Sequence, residues 1–249
     1  MMASEDIVYG LHTVESILKL NPERIRVLYI QHGRRDARLK NIRALTLRFG
    51  IRVDLVDRRR LDKMVDGPHQ GVVARCRHPE LLNEREFESK FIDFKTPKFL
   101  LLIDGVTDPR NLGACLRSAA AAGVHAVLLP KRRSAPLNTL ALKTAAGGVE
   151  DLLLVEVINV ARRIEWLRQE GVWVVGGCDE SNRSWADIDY RKDILIVVGS
   201  EDKGLRRLTR ESCDELAEIP MKGVVSSLNV SVATGVLLFE AVRQRMGGV

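Results

Sequence analysis

Three short segments place polar side chains and glycines where apolar runs end. The first is Asp108-Pro109-Arg110-Asn111-Leu112-Gly113, with Arg117 one turn further on. Gly113 and Arg117 are four apart and share a helix face, and the missing side chain at 113 leaves room for the arginine or a substrate. A helix start with a capping residue and a surface arginine would read the same way. The second is Gly199-Ser200-Glu201-Asp202-Lys203-Gly204. Its glycines allow backbone to approach a ligand, although an ordinary tight loop would account for them equally. It fits neither the GxGxxG nor the GxxxxGK[ST] pattern, which removes the dinucleotide and phosphate-loop readings. The third runs from Ile219-Pro220-Met221 through Gly223 to Ser226-Ser227-Leu228-Asn229-Val230-Ser231. Four small polar residues interleaved with apolar ones exceed what capping alone requires. Cys76, Cys115, Cys178 and Cys213 are scattered and no CxxC or HxxxH spacing occurs, so no metal site and no disulfide framework is expected.

The elements that must hold these segments alternate. Residues 25–31 read as a strand, 38–49 as an amphipathic helix, 51–56 as a second strand, 59–65 as a short helix and 67–76 as a returning strand. Residues 78–98 are charged and bounded by Pro79 and Pro97, which reads as a linker with one helical turn. The run 99–106 is a fully apolar strand of the kind buried on both faces. A helix follows with Asp108 as cap and Pro109 in its first turn, and Gly123 ends it. Strands at 126–130, 152–157, 172–177 and 194–200 alternate with helices near 137–146 and 159–170. The third segment opens on a short strand that meets a Gly-containing loop, and a long helix, roughly 230–245, closes the chain. The fold class is α/β with a parallel sheet, and in open sheets of this kind ligands gather at the carboxyl ends of the strands.

The charge is uneven. Residues 1–80 hold 16 Lys and Arg against 10 Asp and Glu, whereas residues 81–249 hold 23 of each. Thirteen of the 16 basic residues are arginine, whose planar fork can engage two phosphate oxygens. A solvated basic face without a partner is the plainer reading, and charge alone does not separate RNA from DNA or an anionic membrane surface. No stretch approaches the roughly 18 apolar residues of a membrane span. The first residues lack the basic and apolar regions of a signal peptide, so a cytoplasmic protein is expected.

In this order and spacing, the three segments resemble the signature motifs of the SpoU-type RNA ribose methyltransferases, a branch of the SPOUT superfamily. The matching residues are Asn111, Gly113 and Arg117; then Gly199, Glu201 and Gly204; then Pro220, Ser227, Leu228 and Asn229. The resemblance spans nearly the whole chain. Residues 7–77 are similar to the family's small substrate-binding domain, which itself resembles a ribosomal protein of the L-thirty-e type. The stretches RNLGACLRSAAAAGVHAVLLPK, RRLTRESCDELAEIPM and SSLNVSVATGVLLFEAVRQR resemble bacterial members that methylate a guanosine ribose in the peptidyl-transferase region of 23S rRNA. One loop departs from the family: relatives usually carry Ser or Cys where this chain has Ala146, and Pro where it has Leu152.

The resemblance implies three regions: an RNA-binding domain over 1–77, a linker over 78–98 and a SPOUT methyltransferase domain over 99–249. It implies a deep trefoil knot in the last, against the general rarity of knots; periodicity alone yields an unknotted doubly wound sheet. S-adenosylmethionine is the expected methyl donor, held by Gly199, Ile219, Leu228 and Met221, with no metal. Arg117, Asn111, Glu201, Ser227 and Asn229 are the expected catalytic set. A homodimer with the site beside its interface is expected, acting on 23S rRNA or a large-subunit precursor. A ribose 2′-hydroxyl must lose its proton as it attacks, and no histidine lies in the three motifs. The family assigns the base role to the first-motif arginine, although arginine is ordinarily protonated. Phosphate-assisted proton acceptance and stabilisation of a developing alkoxide both remain open for Arg117. The alternatives are a transfer-RNA guanosine 2′-O-methyltransferase, an rRNA adenosine methylase and a non-catalytic ribosome-assembly factor. A nicotinamide enzyme would need the missing glycine fingerprint.

Overall fold

The computed structural model describes residues 5–34, 36–179, 181, 183–201 and 203–247; Asp202 of the second motif lies outside them. The chain forms two compact units: Met1–Glu80 with Leu137–Asp151, and Leu81–Pro136 with Leu152–Val249.

The first unit is built on β1 (Glu5–Tyr9), β2 (Ile25–Gln31), β3 (Val53–Val56) and β4 (Val72–Arg77), ordered β1-β4-β2-β3. Only β2 and β3 pair in parallel; β4 runs antiparallel to both β1 and β2. Strand alternation divides the core. Leu28, Ile30, Val72 and Ala74 pack with α1 (Leu11–Leu20) and α2 (Ala37–Arg48), whereas Tyr29 and Val73 pack on the other face with Leu61 of α3 (Arg58–Met64). Asp36 caps α2 by accepting from the Leu39 amide at 3.1 Å, and that bond holds its carboxyl below the usual range. The opening β1 and α1 were not anticipated from the sequence. The strand expected over 67–76 starts only at Val72, because Gln70 and Gly71 both take positive φ and turn the chain there.

Leu137–Asp151, expected in the second domain by its place in the sequence, closes the first unit. Its helix α6 (Thr139–Thr144) buries Ala141 and Leu142. The Lys143 ammonium donates to the Tyr9 hydroxyl at 2.6 Å. Buried Arg24 pairs with Glu150 while donating to the Arg77 carbonyl, and Asn21 donates to the Glu150 carboxylate at 2.9 Å. Gly147 sits at φ +89, and a Cβ there would lie 2.6 Å from the Ser16 hydroxyl oxygen. Nothing local announces the pairings with Glu150, which join residues more than 120 apart in sequence.

The second unit is a six-stranded parallel sheet ordered β10-β8-β9-β5-β6-β7. Its strands are β5 (Phe99–Ile103), β6 (Ala126–Pro130), β7 (Leu153–Val157), β8 (Trp173–Gly177), β9 (Ile194–Val198) and β10 (Glu215–Ala217). β5 and β9 lie at its centre, and their continuous apolar runs are buried on both faces. One face packs against α4 (Glu84–Phe91) and α7 (Val160–Gln169); α5 (Pro109–Ala121) and α9 (Val230–Met246) pack together beyond the other. A short α8 (Arg207–Glu211) precedes β10, which ends before the strand expected at Ile219.

The segment read as a linker is part of this unit. Asn83 and Glu86 form a reciprocal capping box at the start of α4. Phe87 and Phe91, four apart, are buried edge-to-face against each other and against Trp166. The helix has a narrow apolar stripe, and its charged outer face produced the linker-like composition.

Candidate active site

The carboxyl ends of β8, β9 and β10 open into one cavity. Gly177, Val198 and Ala217 form its floor, and Ile219, Met221 and Leu228 expose apolar surface into it. All four residues expected at the cofactor, Gly199, Ile219, Leu228 and Met221, line this cavity, as do Glu201 and Ser227. Asp179 and Glu201 supply carboxylates, while no Lys, Arg or His appears among the described lining residues. Gly177 and Asp179 were not singled out from the sequence; the sign available was a small-residue end to an apolar strand run.

At the mouth, side chains from three distant segments meet. The Asn111 amide donates to one Glu201 oxygen at 2.9 Å, and the Asn229 amide donates to the other. Asn229 also donates to the Asn111 carbonyl oxygen at 3.2 Å. The same Asn229 caps α9, its oxygen accepting from the Ser231 amide at 3.0 Å and the Ser231 hydroxyl at 2.5 Å. Asn111 sits in the first turn of α5, which Asp108 caps through the Arg110 amide. One ionised carboxylate therefore ties together the starts of α5 and α9 and the loop after β9, through charge-assisted bonds.

Arg117 is placed differently. It is exposed on α5, outside the cavity lining, and has no hydrogen bond or ion pair among the described residues. Gly113 is buried, so the face it was expected to share with Arg117 lies at the edge of the α5 packing surface. Cys115, two residues before Arg117, is buried and approaches the Thr234 hydroxyl of α9 at 3.4 Å. Burial pushes its thiol up to about 11, against thiolate formation at neutral pH.

The loop after β9 is closed by a backbone hairpin: the Ser200 amide donates to the Gly204 carbonyl at 3.0 Å, and the Gly204 amide donates back at 2.9 Å. A Cβ at Gly199 would lie 2.2 Å from the Gly204 carbonyl carbon. Glycine is thus required by the hairpin itself, a reason different from the ligand approach expected at this position. The loop is anchored by Asp104, fully buried at the end of β5, which the sequence reading passed over. Its carboxylate accepts from Arg206 Nε at 2.9 Å, from a second Arg206 nitrogen, and from the Thr209 hydroxyl at 2.7 Å. The bond to Asp104 raises the Arg206 pKa against the opposing effect of burial.

Residues 98–239 match the model of the SpoU rRNA Methylase family, and residues 7–82 match the model described as RNA 2'-O ribose methyltransferase substrate binding. The chain belongs to the SpoU rRNA methylase family. The 23S rRNA (guanosine-2'-O-)-methyltransferase RlmB of Pseudomonas aeruginosa is 48% identical over 98% of this chain and 98% of its own length. The protein of that name from Escherichia coli is 47% identical, over 96% of this chain and 99% of its own. Among solved structures, the AdoMet-bound rRNA methyltransferase from Sinorhizobium meliloti superposes with a TM-score of 0.77 at 27% identity, covering 96% of this chain and 87% of that one. The cavity's chemistry fits this cofactor. Apolar side chains and glycine backbone suit a flat heterocycle with polar edges, and carboxylates without a competing cation suit a sulfonium. Among the described residues, no helix is long and apolar enough to cross a membrane.

Proposed function

We propose that this chain is an S-adenosylmethionine-dependent methyltransferase acting on a guanosine ribose 2′-hydroxyl of 23S rRNA. The observation that carries the reading is the Asn111–Glu201–Asn229 cluster at the mouth of a cationic-ligand cavity, in a SpoU-family chain so similar to two 23S rRNA guanosine methyltransferases. Gly199, Ile219, Met221 and Leu228 hold the methyl donor, which supplies a carbon already activated by a cationic sulfur. Glu201 fixes both asparagine amides, so that Asn111 presents a preset polar edge to the ribose. Ser227 lies on the cavity wall and completes the polar rim. Arg117, with its guanidinium unengaged, faces the developing 2′-oxyanion or an RNA phosphate.

In this reading the enzyme works in the cytoplasm as a homodimer, with the C-terminal segment threaded as the family's trefoil knot and residues 1–77 contributing RNA affinity. Support for the dimer comes from α9, where Val232, Phe239 and Met246 recur every seven residues and are all exposed. The decisive experiment is transfer of labelled methyl from S-adenosylmethionine to a 23S rRNA transcript, followed by digestion. Label in 2′-O-methylguanosine is expected. Label on a base, on another nucleotide, or only on tRNA overturns the assignment.

A further inference from the structure

Arginines also gather at the other half of the same sheet edge. Beyond the carboxyl ends of β6 and β7, an open groove is lined by Arg132, Arg133, Arg206 and Arg207, with Ile158 and Asn159 between them. No carboxylate appears among its described lining residues. Arg132 and Arg133 are exposed and have no side-chain partner among the described residues, and Arg207 makes only a loose, exposed contact with Glu211 at 3.5 Å. Arg206 alone is tied down, by Asp104. Two apolar side chains stand exposed in the same groove: Ile158 at 75% and Leu208 at 59%.

We propose that this groove holds backbone phosphates of the RNA strand flanking the target nucleotide, giving the catalytic unit a phosphate site of its own. The inference rests on the methyltransferase reading and extends it. Three arguments carry it. Arg132 and Arg133 have no carboxylate partner among the described residues, and guanidinium groups repel one another unless an anion separates them. Arg207 adds a third exposed cation, and exposed Ile158 and Leu208 offer apolar surface to sugars and bases. Position is the third. Asn111 opens the helix that leaves β5, and β6 and β7 are the next two strands. The groove therefore lies along the same carboxyl edge as the reacting site, on the side of the sheet where α7 begins. The zero net charge of residues 81–249 conceals the groove because its cations are clustered while the balancing carboxylates lie elsewhere.

The test uses the full chain carrying Arg132→Ala, Arg133→Asn and Arg207→Ala together. Asparagine is chosen because residue 133 has φ 60, a conformation asparagine tolerates. Affinity for a 23S rRNA transcript should fall about tenfold, with the slope of log K against log salt reduced by about 2 for three lost phosphate contacts. KM for RNA should rise by a similar factor, with kcat within about twofold and S-adenosylmethionine affinity unchanged. Lysine at 132 and 207, with Arg133 intact, should restore most of the salt slope, since phosphate neutralisation needs the charge. An unchanged affinity and slope overturns the inference while leaving the enzyme assignment standing. A parallel loss of cofactor binding also overturns it, by showing the damage to be structural. If wild-type protein binds the transcript through these arginines but transfers no methyl, the groove stands and the enzyme assignment falls.

Discussion

The cavity proposed for the cofactor and the arginine groove lie along one sheet edge and have opposite electrostatics. The cavity, beyond β10, β8 and β9, carries two carboxylates and no cation among its described lining. The groove, beyond β6 and β7, carries four arginines and no carboxylate. Between them lies the end of β5, where Asp104 and Arg206 pair across what would otherwise be a direct meeting of the two fields. A reaction between a cationic methyl donor and a polyanionic acceptor needs this separation. A cation lining the cavity would repel the sulfonium, and a carboxylate in the groove would repel phosphate. The segment after β9 serves both regions, giving Gly199, Glu201 and Gly204 to the cavity and Arg206 and Arg207 to the groove.

The sharpest break in that comparison would come from Arg117, a cation in neither lining. Arg117→Ala should lower kcat by about 10²–10³, the scale of losing one oxyanion-stabilising donor, with calorimetric affinity for S-adenosylmethionine intact. Arg117→Lys separates the two roles: partial rescue means charge stabilisation, and no rescue means the planar fork is required. Wild-type turnover in the alanine variant would remove Arg117 from the reaction.

Next in size is the divider between the two regions. Asp104→Ala leaves Arg206 and Thr209 without their buried acceptor and should cost about 3 kcal/mol, read as a lower urea midpoint with unchanged m. A neutral result would mean the pair is not what holds the loop after β9. Glu201→Gln should act on the cavity alone, weakening S-adenosylmethionine binding about tenfold as charge-assisted bonds to Asn111 and Asn229 become neutral ones. RNA affinity and its salt slope should stay as in wild type. Movement of both would mean the two regions are not electrostatically separate.

The smallest effect concerns pH. Burial holds the His125 imidazole below its usual 6.5, with Arg245 acting in the same direction. Its Nδ1 accepts from the Phe99 amide at 3.0 Å and so must stay unprotonated in the fold. The unfolded chain therefore binds this proton more readily than the folded one. The contribution is fully present above about pH 6.5 and declines as pH falls through the lowered folded value. Urea midpoints between pH 8 and pH 5.5 should slope less in His125→Gln than in wild type; equal slopes would assign the acid loss to other groups.

One test suggested by the charge asymmetry changes once the fold is known. Deleting residues 1–80 would remove Arg24, Asn21 and Ser16 from Leu137–Asp151, exposing Ala141, Leu142 and Val149. Lost RNA binding in such a truncation would then mix missing phosphate contacts with a damaged fold. Neutralising exposed arginines such as Arg38, Arg58 and Arg59 avoids this.

Local pattern by itself determined the apolar strands, the Asp108 cap of α5, the spacing of the three motifs and thereby the family. These follow from adjacent residues: five apolar side chains in a row suit a short strand covered on both faces, and Asp-Pro before a helix sets its start. The four residues expected at the cofactor came from the resemblance, and only Gly199 directly follows an apolar strand run. What only tertiary structure decided are encounters between distant segments. Glu201 meets Asn111 across 90 residues, and Asp104 meets Arg206 across 102. The arginines of the groove come from two loops brought side by side by the strand order, and Glu150 belongs to a unit begun more than a hundred residues earlier. Periodicity reports which face of an element is buried. It carries no information about which other element covers that face, because that choice is made by the packing of the whole core.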